Sequence, residues 1–220
     1  MGGAALQCCK HKAHDIMPTK PFDPRDDATI KSETGLSETQ SFVAHYYAAS
    51  VAAASTNGIH AAVTDNGSEQ TITTGITNPG VPRTLSALPG GTAGDIGAIQ
   101  VTINGTNAAG ETIQEVLPAF TVDTASAVAG SKAFKTVTSI VIPAHDGTGA
   151  TTSIGFLNGL GINHKLAQNT VLFAFKGGTK EGSAPTVTTS TSALESNTVT
   201  LSNALDGSDV DFYYIVDGDE

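Results

Sequence analysis

Short runs of threonine, valine and isoleucine, separated by glycine, asparagine and proline, fill the chain from about Glu69 to Phe175. Branched side chains of this kind favour extended backbone, and the separating residues favour turns. The pattern therefore predicts a mostly-β fold, an antiparallel sandwich or barrel of many short strands. No tight cluster of histidine, cysteine or acidic residues interrupts these runs. A sandwich without such a cluster is more typical of a protein that binds and holds than of an enzyme.

The composition limits both the core and the partners of this chain. Its 220 residues can bury a sizeable core, and 39% of them are apolar. Aromatic residues make up only 5% and tryptophan is absent, so aliphatic side chains must build most of that core. The 21 acidic and 11 basic residues give a formal net charge of −10, which repels a phosphate backbone and argues against nucleic acid as a partner.

The sequence carries no signal for a membrane or for secretion. No apolar run approaches the roughly 20 residues that cross a bilayer. The first ten residues lack the apolar stretch of a secretory signal. We therefore expect a soluble protein that is made in a cytoplasm and does not enter a membrane.

Residues 1–36 are expected to form an extended N-terminal arm outside the core. Three prolines interrupt this segment and no hydrophobic period emerges in it, which is typical of chain that only a partner orders. Basic residues gather in the first 25 positions, whereas six acidic residues crowd the end of the chain from Asp206 to Glu220. This asymmetry indicates either an arm that contacts a neighbouring subunit or two solvated termini. The candidate contact residues of the arm are Lys10, Lys12, Lys20 and Arg25.

Residues 37–58 are predicted to form an α-helix and a linker. The sequence from Ser37 to Gln40 fits a capping box, and Asn57-Gly58 fits a left-handed helix stop. Between them large side chains recur at i, i+4 spacing, and alanines supply helix propensity. The candidate helix-packing residues are Phe42, Val43, Tyr46, Tyr47 and Val51.

Residues 59–168 are predicted to form the β-sandwich domain, and residues 169–220 to complete the sandwich or form a small appended sheet. The turn sequence at 65–67, Asp-Asn-Gly, signals a hairpin. The broken alternation around 114–115 predicts a bulge. The run 171–175 is apolar throughout and is expected to be covered on both faces. Three further strand candidates in the tail are Thr186–Thr189, Thr198–Leu201 and Asp211–Val216.

Several sequence segments of the sandwich region are similar to segments of a known group of proteins. They are Ile76–Arg83, Val101–Thr112 and Gly130–Ile140, together with Leu194–Thr198 and Tyr213–Val216. In these segments the chain resembles capsid-associated or decoration proteins of tailed bacteriophages, which have an immunoglobulin-like β-sandwich. The resemblance spans about residues 59–216 and concerns strands and turns, not chemical motifs.

The resemblance implies a non-enzymatic virion protein on the capsid surface, made in the bacterial host cytoplasm. It implies binding to the major capsid protein and to copies of itself, often arranged as trimers. The first 36 residues lie outside the resemblance. Two alternatives stay open, a neck, tail or fibre component and a carbohydrate-binding module on the virion surface. The second is disfavoured because such modules present tryptophan and tyrosine platforms, and the tyrosines here lie in the predicted helix and a terminal strand.

Cys8 and Cys9 are the sharpest local feature of the arm. Adjacent cysteines do not readily bond to each other because vicinal geometry strains the disulfide, and the chain has no third cysteine. The neighbouring Lys10 and Lys12 favour the reactive thiolate. We therefore predict a candidate intermolecular disulfide between neighbouring subunits, against the alternative of two reduced thiols. Zinc binding by these cysteines and two nearby histidines is disfavoured, because structural sites space their cysteines by about two to four residues.

No other motif predicts chemistry. His145, Asp146 and Ser153 could be imagined as a catalytic triad, but no Gly-x-Ser-x-Gly elbow accompanies them. The segment 206–211 contains three aspartates and lacks the twelve-residue loop of an EF-hand calcium site. We predict no catalytic residue, no cofactor and no metal site.

Overall fold

The computed structural model describes residues 30–31, 37–38 and 41–216, and these residues are mostly β, as predicted. Every strand pairing among them is antiparallel, and their only helical turns are two short 3₁₀ segments, Ala93–Asp95 and Leu194–Ser196. None of the helices in this part of the chain could cross a membrane. In chain order the strands are β1 (Ile30–Lys31), β2 (Ser37–Glu38), β3 (Phe42–Ala48), β4 (Ser55–Thr64), β5 (Gln70–Ile72), β6 (Arg83–Gly91), β7 (Thr102–Thr106), β8 (Thr112–Val116), β9 (Val128–Phe134), β10 (Thr136–Ile142), β11 (Ala150–Gly161), β12 (Val171–Lys176), β13 (Thr179–Lys180), β14 (Thr186–Thr188), β15 (Thr198–Thr200) and β16 (Val210–Val216).

Two sheets share the first core. A six-stranded sheet runs β14-β15-β11-β6-β9, and β4 pairs with the first half of β11. A four-stranded sheet runs β5-β10-β7-β8. Branched residues recur on alternate positions of these strands, so one side of each sheet is apolar and the two apolar sides pack on each other. The fully buried side chains of this core include Ile59, Leu85, Ile103, Phe134, Ile140 and Ile154.

A second core lies beneath another four-stranded sheet, with the order β13-β12-β16-β3. Strand β16 is central in that sheet, and its burial alternates strictly from Val210 to Val216. The long strand β11 contributes to both cores, since Ile154 packs in the first and Leu160 in the second. The buried members of the second core include Val51, Leu160, Val199, Val210, Phe212, Tyr214 and Val216.

The helix predicted for residues 37–58 is wrong over the described residues. Ser37–Glu38 is strand β2, and the segment beginning at Phe42 is strand β3, which pairs with β16 over its whole length. Gly58 does not end a helix but lies inside β4. An i, i+4 spacing is also an even spacing, so it places residues on one face of a strand as well as of a helix. The paired strand wins because its alternate side chains complete the second core, which outweighs the propensity of the alanines.

The bulge predicted near residues 114–115 is also wrong. Strand β8 pairs with β7 without a register shift, and its alternation is strict. The interior position belongs to Glu115, whereas Val116 is 52% exposed. The buried carboxylate accepts hydrogen bonds from the backbone N–H groups of Ser131 and Lys132, which makes its burial favourable.

Two further predictions are corrected and one is confirmed. The turn at 65–67 exists, with Gly67 at φ +80°, but it joins β4 to β5, which lie in different sheets and form no hairpin. The run 171–175 is not covered on both faces, because Leu172 and Phe173 are exposed. The three strands predicted for the tail are present as β14, β15 and β16.

Candidate functional site

The outer side of the sheet β13-β12-β16-β3 carries an exposed set of rings. On β3 and β16 the inward residues pack on the second core, and the residues between them point outward. Cross-strand pairing places His45 beside Tyr213, and Tyr213 beside Phe173 of β12. We call this surface the aromatic face and define it by Val43, His45, Tyr47, Phe173 and Tyr213.

The aromatic face gathers apolar side chains that other parts of the described chain bury. Val43, Tyr47 and Phe173 are 51%, 58% and 48% exposed, and the adjacent Leu172 is 43% exposed. The other exposed large apolar side chains among the described residues, Val116 and Val122, lie outside this sheet. Single exposed apolar residues are ordinary, but a contiguous set on one sheet indicates a binding surface.

The rings of the aromatic face contact one another in a row. The rings of His45 and Tyr213 stack with their centroids 4.3 Å apart and an interplanar angle of 5°. Tyr47 lies 6.4 Å from His45 at one end of the row, and Phe173 lies 6.4 Å from Tyr213 at the other. The central pair therefore uses its ring faces on each other, and the two end rings offer the most exposed area.

Charged groups border the row at each end. The Tyr47 hydroxyl donates to Asp209 Oδ2 at 3.0 Å, and the Nζ of Lys180 lies 5.7 Å from the Phe173 ring centroid. The hydrogen bond to Asp209 and the negative charge of that carboxylate raise the pKa of Tyr47, with a smaller contribution from Asp211. His45 Nε2 lies 4.0 Å from Asp211 Oδ1. Exposed aromatic rings bordered by charged groups are typical of protein-binding surfaces.

The three aspartates of segment 206–211 hold protein groups in place. Asp206 accepts from Lys176 Nζ at 2.8 Å, and this hydrogen bond, with others from Ser208, lowers the Asp206 pKa to about 2. Asp209 also accepts from the backbone N–H of Ser50 at 2.9 Å. Among the described residues no group of three or more histidine, cysteine or acidic side chains could hold a metal ion.

The imagined triad is not assembled. His145 Nε2 lies 2.8 Å from Thr152 Oγ1, and its Nδ1 accepts from the Gly97 N–H. The Ser153 hydroxyl donates instead to the carbonyl of Thr56 at 3.1 Å. His145 is a buried structural residue stacked parallel to the Phe120 ring.

The structure places only some of the predicted site residues. Val43 and Tyr47, predicted for helix packing, belong to the aromatic face, whereas Phe42, Tyr46 and Val51 pack in or against the second core. Sequence reasoning missed the other members, His45, Phe173 and Tyr213. In β16 only Asp211, between Val210 and Phe212, marked an outward position, because Tyr213 and Ile215 do not differ in polarity from the inward residues beside them. The arm candidates lie outside the described residues: Cys8, Cys9, Lys10, Lys12, Lys20 and Arg25.

The remaining guide to function is comparison with other proteins. The aromatic face is formed by three strands, β3, β12 and β16, that are separated in sequence, so a relative would be recognised by its fold as much as by a local motif. The chain matches no protein-family model, no curated protein and no solved structure.

Proposed function

We propose that this protein is a non-enzymatic decoration protein of a tailed bacteriophage, which binds the outer capsid lattice and stabilises it. The observation that carries the proposal is the aromatic face. Half-exposed apolar side chains gathered on one sheet are typical of surfaces that bind other proteins. The resemblance of residues 59–216 to capsid-associated proteins supplies the partner, the major capsid protein.

The immunoglobulin-like character of the fold belongs to the same proposal. Two antiparallel sheets enclose the first core, which is the layer arrangement of a β-sandwich. In this proposal the sheet that carries the aromatic face is the part that contacts the lattice. The inner side of that sheet packs on the second core, to which strand β11 of the sandwich contributes Leu160.

Binding would follow from apolar area and from repetition. Tyr47 and Phe173 stand at the two ends of the row, and aromatic side chains bury about 150–250 Å² each when fully covered. Aromatic residues are also enriched at the positions that dominate interface energies. Each copy needs only modest affinity, because neighbouring contacts on a lattice act at high effective concentration.

The experiment uses heads purified from the phage that encodes this sequence, stripped of the protein and mixed with purified chain. We expect the wild type to co-sediment with the heads and to raise their disruption temperature. The variant Y47S/F173S should lose most of this binding. The matched control V116S/V122S removes two similarly exposed side chains outside the aromatic face and should bind like the wild type. Equal binding by both variants would reject the aromatic face as the contact surface.

The location in the particle is tested separately. The alternative of a neck, tail or fibre component predicts immunogold label at one vertex or along the tail, whereas decoration predicts label over the whole head.

The arm disulfide at Cys8 or Cys9 is tested on the same particles by non-reducing electrophoresis. A band at monomer mass alone would exclude it.

A carbohydrate-binding module is the second candidate, because β3 and β16 bring Tyr47 and Tyr213 onto one exposed face. Tyrosines on an exposed sheet can hold sugar rings. The stacking of His45 on Tyr213 weighs against this function, since it covers the ring faces that a sugar would use. Saturable binding to a glycan array, lost in Y47S/F173S, would favour the carbohydrate function over decoration.

A further inference from the structure

Strand β3 is a long edge strand without the residues that normally prevent an edge from pairing with another strand. It pairs with β16 on one side, and no described residue pairs with its other side. Its seven residues contain no proline, glycine, lysine or acidic side chain. The free backbone groups of such an edge are a template for another strand, and natural proteins normally block it.

Other edge strands of the described chain are interrupted or short. Strand β9 carries Gly130 and Lys132, and β4 carries Gly58. Strands β13 and β14 contain only two and three residues. Lysine, glycine and short length each discourage pairing with a second chain. Strand β8, the edge of the four-stranded sheet of the first core, has five residues and carries the inward carboxylate of Glu115, which also discourages pairing. Among the edge strands of the described residues, β3 therefore differs in having a long edge without such a feature.

We propose that two copies of this chain pair through β3, antiparallel, about a two-fold axis at His45. In such a symmetric pair, β3 of one copy lies beside β3 of the other. Each residue therefore faces the residue that lies equally far from the axis on the opposite side of it. A register that keeps both sheet faces continuous must pair inward residues with inward ones. Among such registers, only an axis at His45 pairs all seven residues from Phe42 to Ala48.

The side chains of β3 are complementary in this register. On the inner face Phe42 meets Ala48 of the second copy, and Ala44 meets Tyr46, so each large side chain faces a small one. On the outer face Val43 meets Tyr47, a pairing of branched and aromatic residues that stabilises antiparallel strands. His45 meets its own copy across the axis.

Charge and surface continuity also favour a second copy as the occupant. His45 Nε2 lies 4.0 Å from Asp211 Oδ1, so in the pair each ring at the axis has a carboxylate of its own copy beside it. The strongly acidic chain, with a net charge of −10, brings no acidic side chain of β3 to the new edge. Pairing joins the two aromatic faces, at Val43 and Tyr47, into one surface.

This inference does not depend on the proposed function, because purified protein without any particle tests it. It differs from the trimer that the resemblance implies. The first measurement is the mass of the full chain by light scattering during gel filtration. We expect twice the 22.3 kDa chain mass, decreasing on dilution. A monomer at every soluble concentration, or a trimer, would overturn the inference.

Two cysteine variants test the register of this pairing. In a full chain with Cys8 and Cys9 changed to serine, H45C should form a disulfide-linked dimer under mild oxidation, since directly opposed antiparallel residues satisfy disulfide geometry. The matched control V43C lies on the same face, but its copies would be roughly 13 Å apart along the strands, so it should not crosslink. Crosslinking of V43C as fast as H45C, or no crosslinking of H45C, would reject this register.

An edge block supplies the last test. V43K places a charge on the exposed side of the edge, where it should abolish the dimer and leave the circular dichroism spectrum unchanged. The control V122K adds the same charge on an exposed loop and should remain dimeric. A V43K protein that folds and still dimerises would overturn the inference, and the H45C result decides it if V43K does not fold.

Discussion

The guanidinium carbon of Arg83 lies 4.8 Å from the ring centroid of Phe156, at the point where β11 passes from the first core to the second. The register between β11 and β6 shifts between Phe156 and Leu160, so the carbonyl of Leu157 has no strand partner there. Arg83 supplies one, since its Nε donates to that oxygen at 2.6 Å and its Nη2 donates to it as well. Its Nη1 donates to the Ala52 carbonyl at 3.0 Å.

We therefore predict that R83K destabilises the protein although it keeps the charge. Arg83 is only 2% exposed, and a single ammonium cannot reach both carbonyls in the geometry of the guanidinium. Burial lowers the Arg83 pKa to about 10, so the group is still charged at neutral pH and its loss leaves buried acceptors unpaired. Urea unfolding should show a loss of about 2–4 kcal/mol. The exposed control K135M should change stability by less than about 0.5 kcal/mol, and an equally small effect of R83K would refute the prediction.

Glu115 joins the two sheets of the first core, because β8 and β9 belong to different sheets. Its Oε1 accepts from the Ser131 N–H at 2.6 Å and from the Ser131 hydroxyl at 3.0 Å. We predict that E115Q lowers the free energy of unfolding by about 1–2 kcal/mol, because charge-assisted bonds become neutral ones. Denaturant unfolding at neutral pH measures this. The surface substitution E69Q is the control, and identical midpoints for the two variants would contradict the role of Glu115.

Local pattern predicted the strand content well and the partners of the strands poorly. Runs of threonine, valine and isoleucine mark β7 and β10 correctly as strands, although a register shift between Val137 and Ser139 breaks the alternation of β10 and leaves the buried Val137 and Ile140 three positions apart. The same criterion fails at Glu115, where a carboxylate takes an inward position that backbone N–H groups make favourable. It fails at Leu172 and Phe173, because an apolar run does not reveal that its sheet has one uncovered side.

The candidate site was less predictable than the fold. Tyr46 and Tyr47 could be identified as packing residues, but an even spacing cannot distinguish the faces of a helix from those of a strand. The stacking of His45 on Tyr213 depends on pairing between β3 and β16, which lie near opposite ends of the described chain. Non-local pairing of this kind leaves no periodic signal in either segment. The aromatic face therefore required coordinates.

Acid should weaken the fold through His145. Its Nδ1 accepts from the Gly97 N–H, so the folded ring is neutral. Burial lowers the pKa of His145, and the negative charges of Asp65 and Asp146 offset only part of this lowering. The unfolded chain takes up a proton below about pH 6.5, whereas the folded chain does so only at lower pH. The free energy of unfolding should therefore fall as the pH decreases below that value.

Urea titrations at about pH 7.5 and 5.5 measure this effect across the unperturbed histidine range. The variant H145Q should be less stable than the wild type at the higher pH but should lose less on acidification. The control H60Q removes a half-buried histidine whose Nδ1 lies 2.7 Å from the adjacent Ala61 carbonyl oxygen, and an equal reduction of the acid loss in H60Q would show that the effect is not specific to His145. An unchanged pH dependence in H145Q would assign the effect to other groups.

Tyr46 and Tyr214 share the inner side of one sheet but differ in their hydroxyl groups. The buried Oη of Tyr46 has no hydrogen-bond partner among the described residues, and burial raises its pKa to about 12. The Tyr214 hydroxyl lies 2.7 Å from His164 Nδ1. An unpaired buried hydroxyl costs free energy, whereas a paired one contributes about 1 kcal/mol to stability.

We therefore expect Y46F to leave stability unchanged or raise it by about 1 kcal/mol, and Y214F to lower it by a similar amount. Thermal and urea unfolding of the two variants, which lose the same single oxygen, compare them directly. A loss of stability in Y46F as large as that in Y214F would mean that the Tyr46 hydroxyl has a bound partner, and ordered water is the simplest candidate.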